Sequence, residues 1–365
     1  MEQPVVALLA SYPLQPNIQA VLYNLGRLLR DEFSFHLIMG PEEPPEQLRN
    51  LYSVFHSDAP PIDKAGIGFA FKVTRKYLAH HRPRAIMNAS QPFPLGLAVV
   101  SLGRWYDIPT ILRVTGDYFA GGEIGTAWEQ WKGSLLHGTL FNAVYRKADV
   151  ALPVGPNLAE KLVRHGFDAD CVHPLSQPFD PDLFSPLPSN ERRQLKRKLE
   201  LEPDRRVILN VGRLSWGKGA DRVLEIASRV HRESDEYQFC LVGDGDYADT
   251  FRQKFAPEDV FCTGYVPREQ VHEYFKVADL LIHPSRRDAL PNVILEAFAA
   301  EVPVMAAPVG EIGNLVTMLS NDPGEYVQRI LSEHWVLDEL PEPLDSWEKQ
   351  AKEYRFIFSG AMKGT

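Results

Sequence analysis

The segment Pro284-Ser285-Arg286-Arg287-Asp288-Ala289-Leu290-Pro291-Asn292-Val293-Ile294-Leu295-Glu296-Ala297 holds two carboxylates, Asp288 and Glu296, with seven residues between them. Pro291 suits the first turn of a helix, because its missing N–H costs nothing there. Free amides of that turn and the helix dipole form a site for an anion, and Glu296 can reach a sugar hydroxyl beside it. The segment predicts a site for a phosphorylated sugar or nucleotide; the alternative is a strand–turn–helix corner with two solvated acids.

Strand and helix patterns alternate on both sides of this corner. Such alternation predicts βαβ units and parallel sheets, with ligands at the carboxyl ends of the strands. The predicted strands are Val5–Ala10, Phe33–Met39, Arg84–Asn88, Thr110–Thr115, Asp149–Val154, Val207–Val211, Phe239–Val242, Val260–Cys262, Leu280–His283 and Val302–Ala306. The predicted helices are Ile18–Arg30, Ile67–Arg82, Pro94–Tyr106, Asn157–His165, Ala220–Val230, Glu269–Phe275 and Ser346–Phe358. The stretch after Met39, rich in acids and prolines, is predicted to be a loop.

The domain organisation follows from this pattern and from one shift in composition. Residues from about 174 to 204 are rich in Pro, Asp and Ser and then become charged, which is typical of a linker carrying a polar helix. We therefore expect an α/β protein with two Rossmann-like domains facing a central cleft. The expected boundaries are 1–175 for the N-terminal domain, 176–204 for the linker, 205–340 for the C-terminal domain, and 341–365 for a C-terminal helix that packs back on the N-terminal domain.

Composition narrows the class of protein. The chain has 365 residues, of which 44% are hydrophobic and 24% charged, as in ordinary globular proteins. It contains no apolar run of about 18 residues that would span a membrane. The first residues lack a basic region, so Val5–Ala10 is predicted to be a strand rather than a signal peptide. Three widely spaced cysteines (Cys171, Cys240 and Cys262) indicate buried thiols in a reducing compartment, which favours a cytoplasmic protein.

The net charge of −9 is unevenly distributed. Residues 1–175 hold 16 of the 39 Lys and Arg and 16 of the 48 Asp and Glu, so the excess of acid lies in the second half. An acidic half is a poor binder of nucleic acid, and we expect no such partner.

A cationic loop follows the first strand of the second half. Its sequence, Gly212-Arg213-Leu214-Ser215-Trp216-Gly217-Lys218-Gly219, nearly matches a phosphate-binding loop, but Gly219 stands where that motif needs Ser or Thr for magnesium. An NTPase is therefore rejected. An Arg fork and a Lys point charge at a strand end suit a diphosphate, whereas the alternative is two solvated cations.

Asp244-Gly245-Asp246 spells the D-x-D pattern of some metal–nucleotide sites. It directly follows a strand, and its glycine is a natural turn residue, so we interpret it as a turn. The sequence contains no cluster of metal ligands, and we expect neither a metal nor another cofactor.

Two features of the first half remain open. Gly116-Asp117 ends an apolar strand where a catalytic acid or base would lie, and Glu123 and Trp128-Glu129 follow on an aromatic stretch, where they would touch an acceptor or cap a helix. The basic amphipathic segment Phe69–Arg84 predicts either peripheral contact with an anionic membrane or a half-buried helix with a solvated face.

Taken together and in order, the motifs of residues 205–313 resemble those of glycosyltransferase family 4, the retaining enzymes of GT-B fold. The matching residues are Gly212-Arg213, Lys218-Gly219, Leu241-Val242-Gly243-Asp244-Gly245, Phe261-Cys262-Thr263-Gly264-Tyr265-Val266, Ala278-Asp279, Pro284-Ser285, Pro291-Asn292-Val293-Ile294-Leu295-Glu296-Ala297 and Val302-Pro303-Val304. Asp288 and Glu296 occupy the family's E-x7-E.

The resemblance implies roles for residues of this chain. Arg213 and Lys218 would neutralise the donor diphosphate, Glu296 would hold the ribose, and the segment around Val266 would hold the base through backbone groups. Asp288 and the Ala289–Asn292 amides would contact the transferred sugar and phosphate. The implied donor-binding set is Gly212, Arg213, Lys218, Gly243, Val266, Asp288, Ala289, Leu290, Pro291, Asn292 and Glu296, and the implied catalytic set is Asp117, Arg213, Lys218 and Asp288.

The sequence departs from the family in several places. The first strand is followed by Ser11–Asn17, which has no glycine, where members often have a Gly-Gly loop. Gly116-Asp117 stands where many members have His-Asp, so Asp117 is the candidate for the sugar contact. Asp288 is one methylene shorter than the usual Glu, and Asn314 stands where an acid is usual.

The resemblance implies transfer of a hexose from a nucleotide sugar to a glycan or lipid-linked acceptor, in polysaccharide or glycoconjugate synthesis, by a cytoplasmic enzyme at the inner face of the membrane if residues 69–84 bind lipid. One alternative is a catalytically weak homologue that binds a nucleotide sugar as a partner in a glycan-assembly complex. Another is a GT-B epimerase or phosphorylase, which would need different first-half residues or a pyridoxal lysine site that the sequence does not show.

Overall fold

The structure is a computed structural model that describes residues 3–11, 13–56, 66–116 and 141–361. The chain divides into two compact units. The first comprises Met1–Phe179 and Trp347–Thr365, and the second comprises Asp180–Ser346.

The N-terminal unit is built on a six-stranded parallel sheet with the order β3-β2-β1-β4-β5-β6. Its strands are β1 Val5–Leu9, β2 Ser34–Met39, β3 Ser53–His56, β4 Ala85–Asn88, β5 Thr110–Val114 and β6 Val150–Pro153. Its α-helices are Pro16–Leu29, Glu46–Arg49, Ile67–His80, Leu97–Trp105, Phe141–Tyr145, Pro156–Arg164 and Trp347–Ala361, and a π-turn, Pro92–Gly96, precedes Leu97–Trp105. The central strands are buried along almost their whole length, as expected for a parallel sheet covered by helices on both faces.

The predicted loop after Met39 is wrong in part, because it contains helix Glu46–Arg49 and strand β3. Strand β3 pairs in parallel with β2 at the edge of the sheet, and its residues are only partly buried. An edge strand of this kind does not need the continuous apolar run by which the buried strands are recognised.

The C-terminal helix Trp347–Ala361 packs on the N-terminal unit, as predicted. Its buried residues Ala351, Tyr354, Ile357 and Phe358 belong to the same core as the helix Pro16–Leu29. The Phe358 ring meets the Phe33 ring edge-on at 5.5 Å between centroids. The helical spacing of apolar residues in Ser346–Phe358 therefore predicts the face of the helix that is buried.

The C-terminal unit is a second six-stranded parallel sheet, with the order β12-β11-β10-β7-β8-β9. Its strands are β7 Arg206–Val211, β8 Tyr237–Val242, β9 Val260–Gly264, β10 Leu280–His283, β11 Val304–Ala306 and β12 Met318–Leu319. Its α-helices are Ser189–Lys198, Ala220–Glu233, Ala248–Lys254, Arg268–Phe275, Asn292–Ala299 and Pro323–Ser332, and its 3₁₀ turns are Pro181–Phe184, Trp216–Lys218 and Ile312–Asn314.

The strand order of this second sheet reverses at β7, which lies between β10 and β8. The register that pairs Leu281 with Leu209 brings the two strand ends, His283 and Val211, level with each other. The buried Asn210 side chain ties these strands further, because its Nδ2 donates to the Ile282 carbonyl at 2.9 Å. In open α/β sheets, ligands bind at this reversal, outside the carboxyl ends of the strands.

None of the helices in the described ranges is long and apolar enough to cross a membrane.

Candidate functional site

The loop after β7 approaches the loop after β10 closely. Gly219 has φ +76°, and a Cβ atom there would lie 2.1 Å from the Pro284 carbonyl oxygen. Arg286 N donates to the Gly217 carbonyl at 3.0 Å. Only glycine permits both this backbone conformation and this approach, so the sequence itself joins the cationic loop to the segment that carries Asp288.

A chain of three side chains crosses the sheet reversal. Lys218 Nζ lies 2.5 Å from Asp288 Oδ1, and His283 Nε2 lies 2.8 Å from Asp288 Oδ2. The His283 side chain is 5% exposed and that of Asp288 is 13% exposed, whereas that of Lys218 is 38% exposed. The lysine therefore keeps open access to solvent while its charge is held in place by a buried acid.

The ionisation of Asp288 reflects this environment. Burial opposes the charged form, but the hydrogen bond and charge of His283 and the charge of Lys218 outweigh it and lower the pKa of the Asp288 carboxyl to about 2. The carboxylate is thus charged at neutral pH.

Arg213 and Arg286 differ in whether they have partners within the protein. Arg213 is exposed, and its guanidinium has no hydrogen-bond or ion-pair partner within the described part of the chain. Arg286 is fully engaged: it makes two hydrogen bonds to Asp221, at 2.6 and 2.7 Å, and stacks on the Trp216 ring at 4.3 Å. Arg213 is therefore available to a ligand, while Arg286 braces the loop.

The turn Ala289–Asn292 presents free amides. The amide nitrogens of Ala289, Leu290, Asn292 and Val293 donate to no backbone carbonyl in the described ranges. The helix begins at Asn292, so Pro291 is its N-cap in extended conformation and not, as predicted, part of the first turn. The residue before a helix accepts such a conformation readily, and the missing N–H of proline is equally harmless there.

A further loop supports this turn from the end of β11. Gly310 has φ +59°, and a Cβ atom there would lie 2.2 Å from the Ala289 carbonyl oxygen and 2.3 Å from that of Asp288. Glu311 N donates to the Ala289 carbonyl at 2.7 Å. The loop after β11 thus packs against the Asp288 and Ala289 carbonyls and bonds to the latter.

Glu296 lies in the interior of helix Asn292–Ala299 with a side chain that is 2% exposed. Its Oε1 accepts a hydrogen bond from Arg268 Nη2 at 2.7 Å. Its Oε2, like Asn292 Oδ1, is buried and has no hydrogen-bond partner in the described part of the protein. Buried polar atoms are rarely left unpaired, so both oxygens indicate a place for ligand or water.

The remaining predicted donor residues lie at neighbouring strand ends. Gly243, after β8, has φ +136°, and its Cβ would lie 2.1 Å from the Gly212 carbonyl oxygen. Gly212 itself has φ +143° with open space around it. Val266 follows β9 and is half-buried, beside Tyr265, which is 70% exposed. All predicted residues of the C-terminal unit therefore follow carboxyl ends of β7, β8, β9 and β10.

Asp244 and Asp246 are exposed and lie in a turn, where Asp244 Oδ1 accepts from Gly245 N at 2.9 Å. No group of three or more His, Cys, Asp or Glu side chains that would hold a metal ion is found among the described residues.

The first-half candidates Asp117, Glu123, Trp128 and Glu129 lie outside the described residues. The basic helix Ile67–His80 is half-buried: its apolar side faces the core, and on the other side Lys72, Arg75 and Lys76 are exposed, together with His80.

His283 and Arg268 contact predicted site residues but are not themselves predicted from the sequence. His283 is the last residue of an apolar strand, at the position from which a side chain reaches a site at a strand end. Arg268 opens an otherwise ordinary polar helix, and nothing in its local sequence indicates that it reaches Glu296.

Comparisons with known proteins bear on both units. A family described as "Glycosyl transferases group 1" matches residues 191–353, and one described as "Glycosyltransferase Family 4" matches residues 18–183. The putative teichuronic acid biosynthesis glycosyltransferase TuaC of Bacillus subtilis (strain 168) is 29% identical over 233 residues, which are 63% of this chain and 54% of TuaC. The match thus spans about half the length of that relative.

Two solved structures resemble this one over nearly its whole length. The structure of Anabaena Alr3699/HepE in complex with UDP and glucose has a TM-score of 0.70 at 17% identity, covering 98% of this chain and 93% of that one. Sucrose-phosphate synthase from Thermosynechococcus elongatus has a TM-score of 0.71 at 17% identity, covering 99% and 95%. Identities this low show a common fold.

Proposed function

Because this chain belongs to glycosyltransferase family 4 and has the two-domain α/β GT-B fold, we propose that it transfers a hexosyl group from a nucleotide sugar to a glycan or lipid-linked acceptor, with retention of anomeric configuration. The observation that carries this proposal is the convergence at one sheet reversal of Lys218, Asp288, free turn amides and the unpaired Oε2 of Glu296. Cations, amides and a buried acceptor match a diphosphate joined to a ribose.

The cations are arranged to stabilise a leaving diphosphate. Lys218 has three N–H donors and spends one on Asp288, so two remain for phosphate oxygens. Arg213 adds a fork of donors, and the turn amides add fixed dipoles at the helix N-terminus. Donors that are in place before the reaction stabilise the charge that develops as the bond from the anomeric carbon to the diphosphate breaks. No step in this arrangement calls for a metal.

We assign Asp288 two roles in this proposal. It fixes Lys218 for the diphosphate, and its remaining lone pairs are available to a hydroxyl of the transferred sugar, since a carboxylate accepts about four hydrogen bonds.

Other residues of the C-terminal unit contact the nucleoside in this proposal. Glu296 Oε2 accepts a hydrogen bond from the ribose, and the backbone around Val266 holds the base. Gly212 and Gly243 keep this part of the site free of side chains. Asp117 stays the residue that the sequence predicts for the sugar contact.

The acceptor and the place of action are part of the same proposal. The name of the relative TuaC, a putative teichuronic acid biosynthesis glycosyltransferase, supports an acceptor from glycan synthesis here. The exposed Lys72, Arg75 and Lys76 of helix Ile67–His80 suit an anionic membrane surface, and they support action at the cytoplasmic face of a membrane.

A thermal-shift screen with UDP-, GDP-, ADP- and dTDP-sugars, followed by a turnover assay on the nucleotide that binds, tests the proposal. We expect one nucleotide to raise Tm and its sugar to be released or transferred with retention. Glu296→Ala is expected to abolish turnover and to weaken binding of the nucleotide. Wild-type rate in Glu296→Ala would refute the site assignment. Binding without turnover would favour the alternative of a nucleotide-sugar-binding partner in a glycan-assembly complex.

A further inference from the structure

The pairing of Arg268 with Glu296 leads to an inference that rests on the proposed function and deepens it. We propose that Arg268 is a positioning residue that holds the Glu296 carboxylate for the ribose diol, and so makes the site selective for nucleotides that carry ribose hydroxyls.

The geometry of the pair is asymmetric. Arg268 Nη2 donates to Oε1 at 2.7 Å, while Oε2 of the same carboxylate is buried and has no partner in the described ranges. A hydrogen bond to one oxygen fixes the rotation of the carboxylate plane and therefore the direction in which the other oxygen points. The unpaired Oε2 is thus an acceptor of fixed direction, which suits a hydroxyl donor.

Charge and burial explain why a cation is needed at this position. The Glu296 side chain is 2% exposed, and a buried carboxylate is costly unless it is paired with an opposite charge. Arg268 supplies that charge while remaining 36% exposed itself. The pair is neutral overall, so it favours a neutral hydroxyl pair over an additional anion.

Arg268 lies close in sequence to the segment proposed to hold the base. It is the first residue of helix Arg268–Phe275 and follows Val266 by two residues. The other end of this helix is anchored by Phe275, which is fully buried and meets the Phe184 ring edge-on at 5.5 Å. The helix that carries the guanidinium therefore begins directly after the base segment, which places the partner of Glu296 beside the proposed base site.

The test compares binding of two ligands to each of several variants. Titration calorimetry measures Kd for whichever of UDP, GDP and ADP binds wild type most tightly, and for its 2′,3′-dideoxy analogue. We expect wild type to prefer the ribonucleotide by about ten-fold or more, as for a hydrogen bond to a charged group. Arg268→Ala is expected to weaken the ribonucleotide selectively and to reduce this preference to about three-fold or less. Arg268→Lys is expected to restore part of it.

A second variant covers the case in which Arg268→Ala does not fold. In the Glu296→Gln background the buried charge is gone, and Arg268→Ala is expected to change the preference no further. Arg229→Ala serves as the matched control, because Arg229 is a half-buried arginine of helix Ala220–Glu233 that pairs with Glu225, and it should retain wild-type preference.

Different results would contradict the proposed function and the role of Arg268. If wild type binds none of UDP, GDP, ADP and dTDP, the proposed function is wrong; if it binds dTDP most tightly, the inferred selectivity for ribose hydroxyls is overturned. If wild type binds and prefers the ribonucleotide, but Arg268→Ala keeps that preference, or weakens both ligands equally, Arg268 has only a structural role and the inference is overturned.

Discussion

Lys218 and Asp288 are 70 residues apart in sequence, and their side chains meet at 2.5 Å across the point where the strand order of the C-terminal sheet reverses. One residue follows β7 and the other follows β10, and Gly219 lets the two loops approach. Asp288 therefore fixes the positions of Lys218 and His283, in addition to any contact that it makes with a ligand.

Asp288→Asn should change stability in a pH-dependent way. The pKa of Asp288 is lowered in the folded protein to about 2, so its charge stabilises the fold above the unfolded pKa of 3.8 and ceases to do so as pH falls through 2. We expect the difference in unfolding free energy between wild type and Asp288→Asn to shrink by about 2 kcal/mol between about pH 4 and 2. Urea unfolding across this range measures it.

Asp246→Asn is the matched control, since Asp246 lies in an exposed turn. Its difference from wild type should stay within about 0.5 kcal/mol at every pH. A curve for Asp288→Asn as flat as that of the control would show that Asp288 is not held charged by its neighbours.

Arg213→Ala should separate catalysis from stability. The guanidinium has no partner in the described part of the chain, so we expect the unfolding free energy to change by no more than about 0.5 kcal/mol. Loss of a cation at the leaving diphosphate should reduce kcat by about 100-fold. Denaturant unfolding and turnover of the bound nucleotide sugar measure the two effects, with Arg232→Ala on a helix surface as control.

Lys218→Ala should differ from Arg213→Ala in that it also destabilises the fold. Removing the ammonium leaves the buried Asp288 with His283 as its remaining partner among the described residues, at a cost of about 1–3 kcal/mol. Activity should fall at least as far as in Arg213→Ala. Equal stability of the two variants would contradict the importance assigned to the Lys218–Asp288 pair.

Gly243→Ala should disrupt the floor of the site. Its φ of +136° is strained for any side chain, and the new Cβ would lie 2.1 Å from the Gly212 carbonyl oxygen. We expect a loss of about 2–4 kcal/mol in unfolding free energy. Gly217→Ala, whose Cβ would meet no atom within 4 Å, is the control and should be nearly neutral. Equal unfolding free energies for the two variants would contradict the close approach of the loops that follow β7 and β8.

Phe358→Ala tests the packing of the C-terminal helix. Phe358 is fully buried in the core of the N-terminal unit, whereas Phe356, two residues earlier, is 64% exposed. Phe358→Ala should lower the unfolding free energy by about 3–5 kcal/mol, and Phe356→Ala should have little effect. Similar losses for both would mean that the helix presents a different face.

The sequence predicts much of this architecture because buried parallel strands and their helices have distinct apolar patterns. Leu280–His283 and the C-terminal helix were recognisable for that reason. Strand β3 was not, because it lies at a sheet edge and is only partly buried. Lys218 and Glu296 are predicted as site residues because they belong to an ordered motif, and their roles stay predictions. Arg268 and His283 act on those residues through space, and contacts between distant segments leave no local pattern.

The pairing of site residues also adjusts their expected roles. The sequence treats Asp288 and Lys218 as separate ligands of sugar and diphosphate, whereas the structure joins them. It likewise joins Glu296 to Arg268, so that one of its oxygens is already occupied. Spacing along the chain indicates which residues share a site, but the division of hydrogen bonds among them depends on the folded geometry.

Calorimetric titration of wild type and Glu296→Ala with UDP-, GDP- and ADP-glucose tests the central claim most directly. The account predicts that wild type binds at least one of these nucleotide sugars with a Kd in the range of about 1 μM to 1 mM, and that Glu296→Ala weakens this binding by about ten-fold or more. Equal affinity of wild type and variant for the nucleotide sugar that binds would contradict it, as would absence of binding to these three and to dTDP-glucose.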